Sequence, residues 1–361
     1  MSSISSDVAD HIESTDARTG DSLLSDRFGR QVTYLRISIT DRCNFRCVYC
    51  SPAEGIEHSA RPELLTYEEI QEAVEIFAEH GVRKVRITGG EPLVRADVPE
   101  LVGRLSGIEG IEHVAMTTNA FLLGRHARAL RDAGLNSINI SLDSLDAENF
   151  EELTRIGGLD RVLEGIDAAQ REDFDLIKLN TVVIRGFNDD EILELVRFAA
   201  EKDLILRFIE FMPLGQETVW TETDETSCVP ASEIRAVLRS VWDLSPDEER
   251  YGSGPAKYWR VEGPGLPEDG HTIGLIGAVT ECFCENCNRM RMTPKGKLRA
   301  CLADDREISV RTPLRTLAEP AERRAGIEEA IARALGGKKA THDFDLEGDS
   351  VTHKAMTAIG G

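Results

Sequence analysis

The sequence predicts an α/β fold: a partial (βα)6 barrel of the TIM-like kind, followed by a C-terminal extension. Three observations carry this. Between residues 35 and 211, six short β-branched runs alternate with amphipathic helical patterns, the signature of repeated βα units around a parallel sheet. Within those runs polar and apolar residues alternate, so one face is polar where a packed barrel would be apolar. The chain of 361 residues also exceeds a single core of about 200 to 250 residues, which leaves room for an appendage.

The elements follow in order. The first 26 residues hold seven Ser and six acidic residues, one basic residue and no apolar stretch, and are expected to be a disordered acidic tail rather than a signal peptide. The barrel is assigned to residues 27–215, with strands at 35–40, 82–88, 112–118, 136–142, 175–184 and 204–211. Helices fall between them, as in Thr66 to His80, where a Thr cap precedes the apolar stripe Ile70, Val74 and Phe77. Along the strands Arg36, Ser38 and Thr40 share a face, as do Lys84, Arg86 and Thr88, then Asn139, Ser141 and Asp143, then Lys178 and Asn180. With the apolar face against the helices, the polar face encloses a ligand cavity, and six units leave the barrel open at one side. Residues 216–361 form a second region. It contains an acidic connection, a helix from Ala231 to Val241, Gly/Pro-rich segments around 252–270, a helix from Ala321 to Leu335 and a polar tail ending in Gly360-Gly361.

A formal charge of −22 repels nucleic acid and anionic membrane, and any phosphate site must be local and basic. The acidic surface also fits a salt-loving source. No apolar run approaches a membrane span. A chain without a secretion signal is expected in the cytoplasm, where eight cysteines read as metal ligands or catalytic groups before disulfides.

Cys43, Cys47 and Cys50 sit on a loop directly after the first strand, at the C-terminal mouth where barrel active sites lie. Three thiolates on a short loop can hold three corners of a [4Fe-4S] cube and leave the fourth iron open to a non-protein ligand. A structural zinc would need a fourth ligand that the loop lacks. Thr88-Gly89-Gly90-Glu91-Pro92 ends strand two, where the glycines allow close backbone approach and Glu91 can accept from an ammonium. The Cys-x3-Cys-x2-Cys spacing, with Tyr49 before the last cysteine, resembles the radical S-adenosylmethionine superfamily. That resemblance implies a barrel of the radical SAM type, with S-adenosyl-L-methionine as cofactor. It places Gly90 and Glu91 at the methionyl amine, Ser141 and Asp143 at the ribose and carboxylate, and Tyr49 and Met212 beside the adenine.

Cys284, Cys287 and Cys301 form a second set. With Cys282 as a fourth ligand they could make a zinc ribbon, although ligation from both 282 and 284 would be strained. The alternative is a second [4Fe-4S] cluster with an open iron. Residues 27 to 361 resemble the GTP 3′,8-cyclase family through Asp26-Arg27-Phe28-Gly29-Arg30, the first cysteine loop, Thr88 to Pro92, Thr117-Thr118-Asn119, Ile140 to Ser144, Leu206 to Glu210, the second cysteine set and the terminal Gly-Gly. One departure is Ala120, where the family commonly has Gly. The resemblance implies two [4Fe-4S] clusters and GTP as substrate, with contacts from Arg36, Lys84, Arg86, Thr117, Lys178 and residues 289 to 291, that is Arg289, Met290 and Arg291. Arg207 joins this set as a strand-borne cation. Any one such cation would by itself read as a snorkelling edge or an ion pair, whereas seven converging on a cavity fit a triphosphate.

The implied reaction is radical cyclisation of GTP to (8S)-3′,8-cyclo-7,8-dihydroguanosine 5′-triphosphate, the first step of molybdenum cofactor biosynthesis. No side chain is assigned as an acid or base. Implied partners are an electron donor and, downstream, cyclic pyranopterin monophosphate synthase, with a homodimer compatible with the resemblance. Cys228 and Cys282 are expected to be spare, and the Gly-Gly tail to reach the active site. The rival readings are a peptide-modifying radical enzyme with an auxiliary cluster and a non-catalytic metal-binding scaffold.

Overall fold

A computed structural model describes residues 23–215, 227–344, 352 and 354–359. The acidic connection after Leu214, most of the expected N-terminal tail and Gly360-Gly361 lie outside the described residues. Of the expected tail, Leu23 to Asp26 are inside them and packed: Leu24 is buried, and Asp26 pairs with Arg30 at 2.6 Å.

The six expected strands form within two residues of their predicted bounds: β1 (Tyr34–Ser38), β2 (Lys84–Thr88), β3 (His113–Thr118), β4 (Ser137–Ser141), β5 (Leu176–Val183) and β6 (Ile205–Glu210). Each pairs in parallel with the next. The helix after β1 runs Tyr67–Glu79 and opens with a capping box. Glu69 N–H donates to Thr66 Oγ1 at 3.2 Å, and the Glu69 carboxylate accepts from Thr66 N–H at 2.7 Å. Its Ile70, Val74 and Phe77 are buried with Leu35, Ile37, Val85 and Ile87 of the strands. The polar strand residues therefore face the other way, as the alternation requires.

The C-terminal region extends the barrel sheet itself. It supplies β7 (Asp243–Asp247), β8 (Lys257–Glu262), β9 (His271–Ile276), β10 (Arg289–Met292), β11 (Lys297–Arg299) and β12 (Ile308–Ser309), all joined to the barrel sheet in the order β12-β11-β10-β1-β2-β3-β4-β5-β6-β9-β8-β7. β10 lies parallel to β1 and β9 parallel to β6, so both open edges of the six-strand unit are covered. The physical reason is that a bare barrel edge leaves a row of unpaired backbone groups. These strands are spaced irregularly between Gly/Pro-rich segments and lack the strand–helix alternation that marks the first six. The sheet keeps two ends, and among the described residues no pairing closes it. No helix of the described residues is long and apolar enough to cross a membrane.

Ala120 adopts a left-handed backbone with φ 60° and is fully buried, and a Cβ on Gly165 would lie 2.2 Å from the Ala120 carbonyl oxygen. A non-glycine residue in this conformation carries strain of about 1 kcal/mol or more, partly offset here by the buried methyl. Ala120→Gly is expected to raise unfolding stability by about 0.5 to 1 kcal/mol, and Gly165→Ala to lower it, as read from chemical denaturation midpoints.

Candidate active site

The first cysteine loop leaves β1 and folds against the Gly-Gly turn after β2. Gly90 N–H donates to Thr40 O and Glu91 N–H to Arg42 O, both at 2.8 Å. A Cβ on Gly90 would meet the Arg42 carbonyl oxygen at 2.5 Å. The glycine is thus required by contact with the cysteine loop itself, in addition to any contact with a cofactor. Glu91 is buried and holds this corner together. Its carboxylate accepts from Asn119 N–H at 2.7 Å, Thr118 Oγ1 at 2.7 Å and Leu93 N–H at 3.0 Å. Burial pushes its pKa up to about 7 against those hydrogen bonds. Asn119 in turn reaches the loop, donating from Nδ2 to Asn44 Oδ1 at 2.9 Å.

On the far side of the loop, Tyr49 donates to Asp143 Oδ2 at 2.7 Å, and Asp143 Oδ1 accepts from Val182 N–H at 2.9 Å. Burial raises Asp143 to about 6. Cys43, Cys47 and Cys50 all face the cavity, and burial holds their thiols high, Cys43 at about 11 and Cys50 at about 12. Thiols this reluctant to ionise become thiolates when a metal takes the proton's place. Three such sulfurs on one wall, with no disulfide and no fourth protein thiol in the loop, fit three corners of an iron-sulfur cube.

Cys284, Cys287 and Cys301 line the opposite part of the same cavity. Burial pushes Cys287 up, but Arg289, Lys338 and Arg291 outweigh it and bring the thiol down to about 7. Ligand atoms of Cys282, Cys284 and His342 lie within 4.8 Å of one another, a geometry a zinc ion could use. Cys282, however, is exposed and lies off the cavity wall, whereas the other three sulfur residues face inward. The three inward cysteines share one cavity wall, a donor set that suits an iron-sulfur cluster.

Between the cysteine sets stand the cations, and strand register explains their convergence. Arg291, Arg36 and Arg86 are neighbours across β10, β1 and β2, and Arg289, Tyr34 and Lys84 form the adjacent rung. Further round, Thr117, Asn139 and Lys178 align, then Asn180 with Arg207. Arg207 donates to Asn180 Oδ1 at 2.6 Å and 3.0 Å. Lys178 Nζ donates to the Tyr251 carbonyl oxygen, which brings the Gly-rich turn of Ser253, Gly254 and Pro255 to the rim.

Lys84, Arg86, Lys178, Arg207, Arg289 and Arg291 form no ion pair with any described carboxylate. Burial, then the neighbouring cations, lowers Lys84 to about 8, Arg36 to about 9 and Arg291 to about 10. The same crowd pulls Tyr34 down to about 7 although its burial acts in the opposite direction, and Arg86 Nε donates to the Tyr34 hydroxyl.

The cavity, of about 310 Å³, is lined by every residue expected at the site except Met290. Met290 alternates with Arg289 and Arg291 on a four-residue strand, so its side chain points into the apolar core and is fully buried. Tyr34, Phe45 and His342 line the cavity without having been assigned a role from sequence, and Asn119, quoted there only as part of a motif, joins them. Tyr34 was findable, since it shares a face with Arg36 and Ser38; His342 carries no local signal.

An open parallel barrel with three cysteines at its mouth defines the class of radical S-adenosylmethionine enzymes. Residues 37–199 match the Radical SAM superfamily and residues 204–344 match Molybdenum Cofactor Synthesis C. The chain is 46% identical over 339 residues to a GTP 3′,8-cyclase of Pelotomaculum thermopropionicum, covering 94% of this chain and all of the relative. It is 44% identical over 339 residues to one of Pseudomonas putida, covering 94% and 98%. It belongs to the GTP 3′,8-cyclase family, radical enzymes that use S-adenosylmethionine and two [4Fe-4S] clusters to open molybdenum cofactor biosynthesis. Streptococcus suis SuiB bound to S-adenosylmethionine has the same fold at a TM-score of 0.54 and 16% identity, covering 77% of this chain and 63% of SuiB. That likeness carries the fold alone.

With three ligands from each inward set, anaerobically reconstituted protein should bind about eight irons. Cys282→Ser and Cys228→Ser should leave that number unchanged, and Cys287→Ser should roughly halve it. Iron, sulfide and zinc analysis reads all three; loss of iron on Cys282→Ser would reassign the second set.

Proposed function

We propose that the cavity is divided between cofactor and substrate along the residues already named. Cys43, Cys47 and Cys50 hold the first cluster, with S-adenosylmethionine against Tyr49, Gly90, Glu91, Ser141, Asp143 and Met212. Cys284, Cys287 and Cys301 hold the second cluster, and GTP lies between, its triphosphate on Arg36, Lys84, Arg86, Lys178, Arg207, Arg289 and Arg291, with Thr117 beside it. When bound, the first cluster and S-adenosylmethionine supply an electron and a 5′-deoxyadenosyl radical that removes the ribose 3′ hydrogen.

The protein's part is positioning and exclusion of water. Tyr49, tied to Asp143, is fixed as one wall of the cofactor half. Glu91 has one carboxylate oxygen, Oε2, with a single protein donor, and that oxygen can accept from the methionyl ammonium. The arginine forks hold phosphate oxygens so that the nucleoside stays between the two clusters. The observation that carries this reading is the convergence of Lys84, Arg86, Lys178, Arg207, Arg289 and Arg291 on one cavity with no ion pair to any described carboxylate, because burying such charge is costly until a polyanion arrives. A peptide substrate would give that charge no use.

An electron donor of unidentified kind serves the first cluster, the cyclic nucleotide passes to cyclic pyranopterin monophosphate synthase, and the reaction takes place in the cytoplasm. Gly360-Gly361 acts at the cavity, which the chain reaches through Met356 and Thr357 on its wall.

Arg289→Ala and Arg291→Ala should each weaken GTP binding about ten- to a hundredfold, since charge-assisted phosphate contacts contribute about 1.5 to 3 kcal/mol. Cleavage of S-adenosylmethionine should survive, and Met290→Leu should leave GTP affinity unchanged. Anaerobic equilibrium binding and 5′-deoxyadenosine release measure these, and unchanged affinity in both arginine variants would remove them from the substrate half.

A second test uses pH. Lys84 sits at about 8 in the free protein, and a bound triphosphate raises that value. Affinity should be full below that pH, where the lysine is already charged, and fall as pH rises through it. GTP binding near pH 8 should therefore take up protons. Calorimetry in buffers of different ionisation enthalpy detects this uptake, and Lys84→Met should diminish it.

A further inference from the structure

The Asp26 to Arg30 motif, singled out from the sequence, has no place in the catalytic reading, and the structure gives it one. Asp26 Oδ1 accepts from the N–H groups of Phe28 at 2.9 Å and Arg30 at 3.0 Å, closing a tight turn in which Gly29 takes φ 78°. Asp26 Oδ2 fixes the guanidinium through Arg30 Nε at 2.6 Å. The two free ends of the fork then leave the turn entirely. Arg30 Nη1 donates to the carbonyl oxygens of Cys284 at 2.7 Å and Ala340 at 2.9 Å, and Nη2 donates to that of Lys339 at 2.6 Å.

A second cation meets the same loop. Lys338, 2% exposed, donates from Nζ to the carbonyl oxygens of Arg289 at 2.9 Å and Cys287 at 3.3 Å. It makes no ion pair with a described carboxylate. Between these two points, the Asn288 carbonyl accepts from the N–H groups of Thr33 and Tyr34 at 3.1 and 3.2 Å. The carbonyls of Cys284, Cys287, Asn288 and Arg289 are thus all engaged, two of the four residues being thiols of the second set and one a cation of the substrate half.

Many arginines and lysines here meet carboxylates at the surface, as Arg104, Lys202 and Arg315 do. This pair is buried and serves main-chain oxygens of the one loop that joins cluster and substrate. We infer that Arg30 and Lys338 are positioning residues that clamp the second cysteine loop and, as fixed positive charges beside it, hold the reduction potential of the second iron-sulfur cluster up. The clamp rests on the assignment of Cys284, Cys287 and Cys301 to that cluster. A positive charge close to a cluster stabilises its reduced, more negative form, so removing the charge lowers the potential. Arg30 brings geometry and charge together, being tied to Asp26 by an ion pair, whereas Lys338 forms none with a described carboxylate and has the larger electrostatic effect.

The test is potentiometric titration of anaerobically reconstituted full-length enzyme followed by EPR. S-adenosylmethionine is added to shift the first cluster's signal away from the second's. Lys338→Met should retain the iron of both clusters and lower the midpoint of the second cluster while the first stays at the wild-type value. Lys338→Arg should restore the second midpoint. An unchanged second midpoint in Lys338→Met, or equal movement of both clusters, overturns the inference. If Lys338→Met takes up no second cluster, Lys338→Arg decides: a cluster at the wild-type midpoint upholds the charge, and failure of both variants overturns it. Arg30→Lys, which keeps charge but loses the fork, should hold the midpoint near wild type while the loop loosens, seen as faster loss of the second cluster's iron to a chelator. A wild-type protein with only one cluster's iron would instead reject the assignment of the second cysteine set, a separate outcome from failure of the clamp.

Discussion

The constraint on which the structure depends is a cavity in which Lys84, Arg86, Lys178, Arg207, Arg289 and Arg291 gather without an ion pair to any described carboxylate. Two adjacent rungs across β10, β1 and β2 place Arg291, Arg36 and Arg86 together and Arg289 and Lys84 on either side of Tyr34. Like charges this close and this buried oppose folding, and the depression of Lys84, Arg36 and Arg291 expresses that opposition. Such an arrangement is stable only because the helices bury a continuous apolar layer on the other face of the same strands. In the function proposed above, a triphosphate supplies the charge that offsets this crowding.

That constraint also explains why the barrel is incomplete. A closed, packed barrel would have filled its interior with apolar side chains. Here the inner face is given over to Arg, Lys, Asn, Thr and Ser, and both edges are finished by strands from the C-terminal region. The consequence is mechanical as well as chemical. Each cysteine set is held by main-chain contacts, the first by the Gly90 and Glu91 turn and the second by Arg30 and Lys338. Neither loop depends on its metal alone for its shape.

How much of this was legible follows from the length scale of each signal. The six barrel strands, the capped helix at Tyr67–Glu79, both cysteine sets and the inward cations stood out because a period of two or 3.6, or a fixed spacing, repeats within one segment. β9 and β10 did not stand out, since their pairing with β6 and β1 is a long-range fact with no local period. Met290 was misplaced for a related reason: reading residues 289 to 291 as one contact ignored the alternation that sends the middle side chain to the core. The close approach of Gly90 to Arg42 was hidden in the same way, because the glycine's partner lies in a different loop.

The union of the two sequence regions in one sheet has a consequence for how the site is made. Arg289 and Arg291 face the cavity only because β10 pairs in register with β1, and Cys287 lies two residues before that strand. The substrate half and the second cysteine set therefore come into being together, when a segment some 250 residues downstream docks against the first strand of the barrel. Contacts of such sequence separation close late and at a high entropic cost. The Asp26 to Arg30 turn lies immediately before β1, and its guanidinium reaches the same downstream segment. It thus makes a second attachment beside the strand pairing, at the point where the fold must bring its two ends together to complete the cavity.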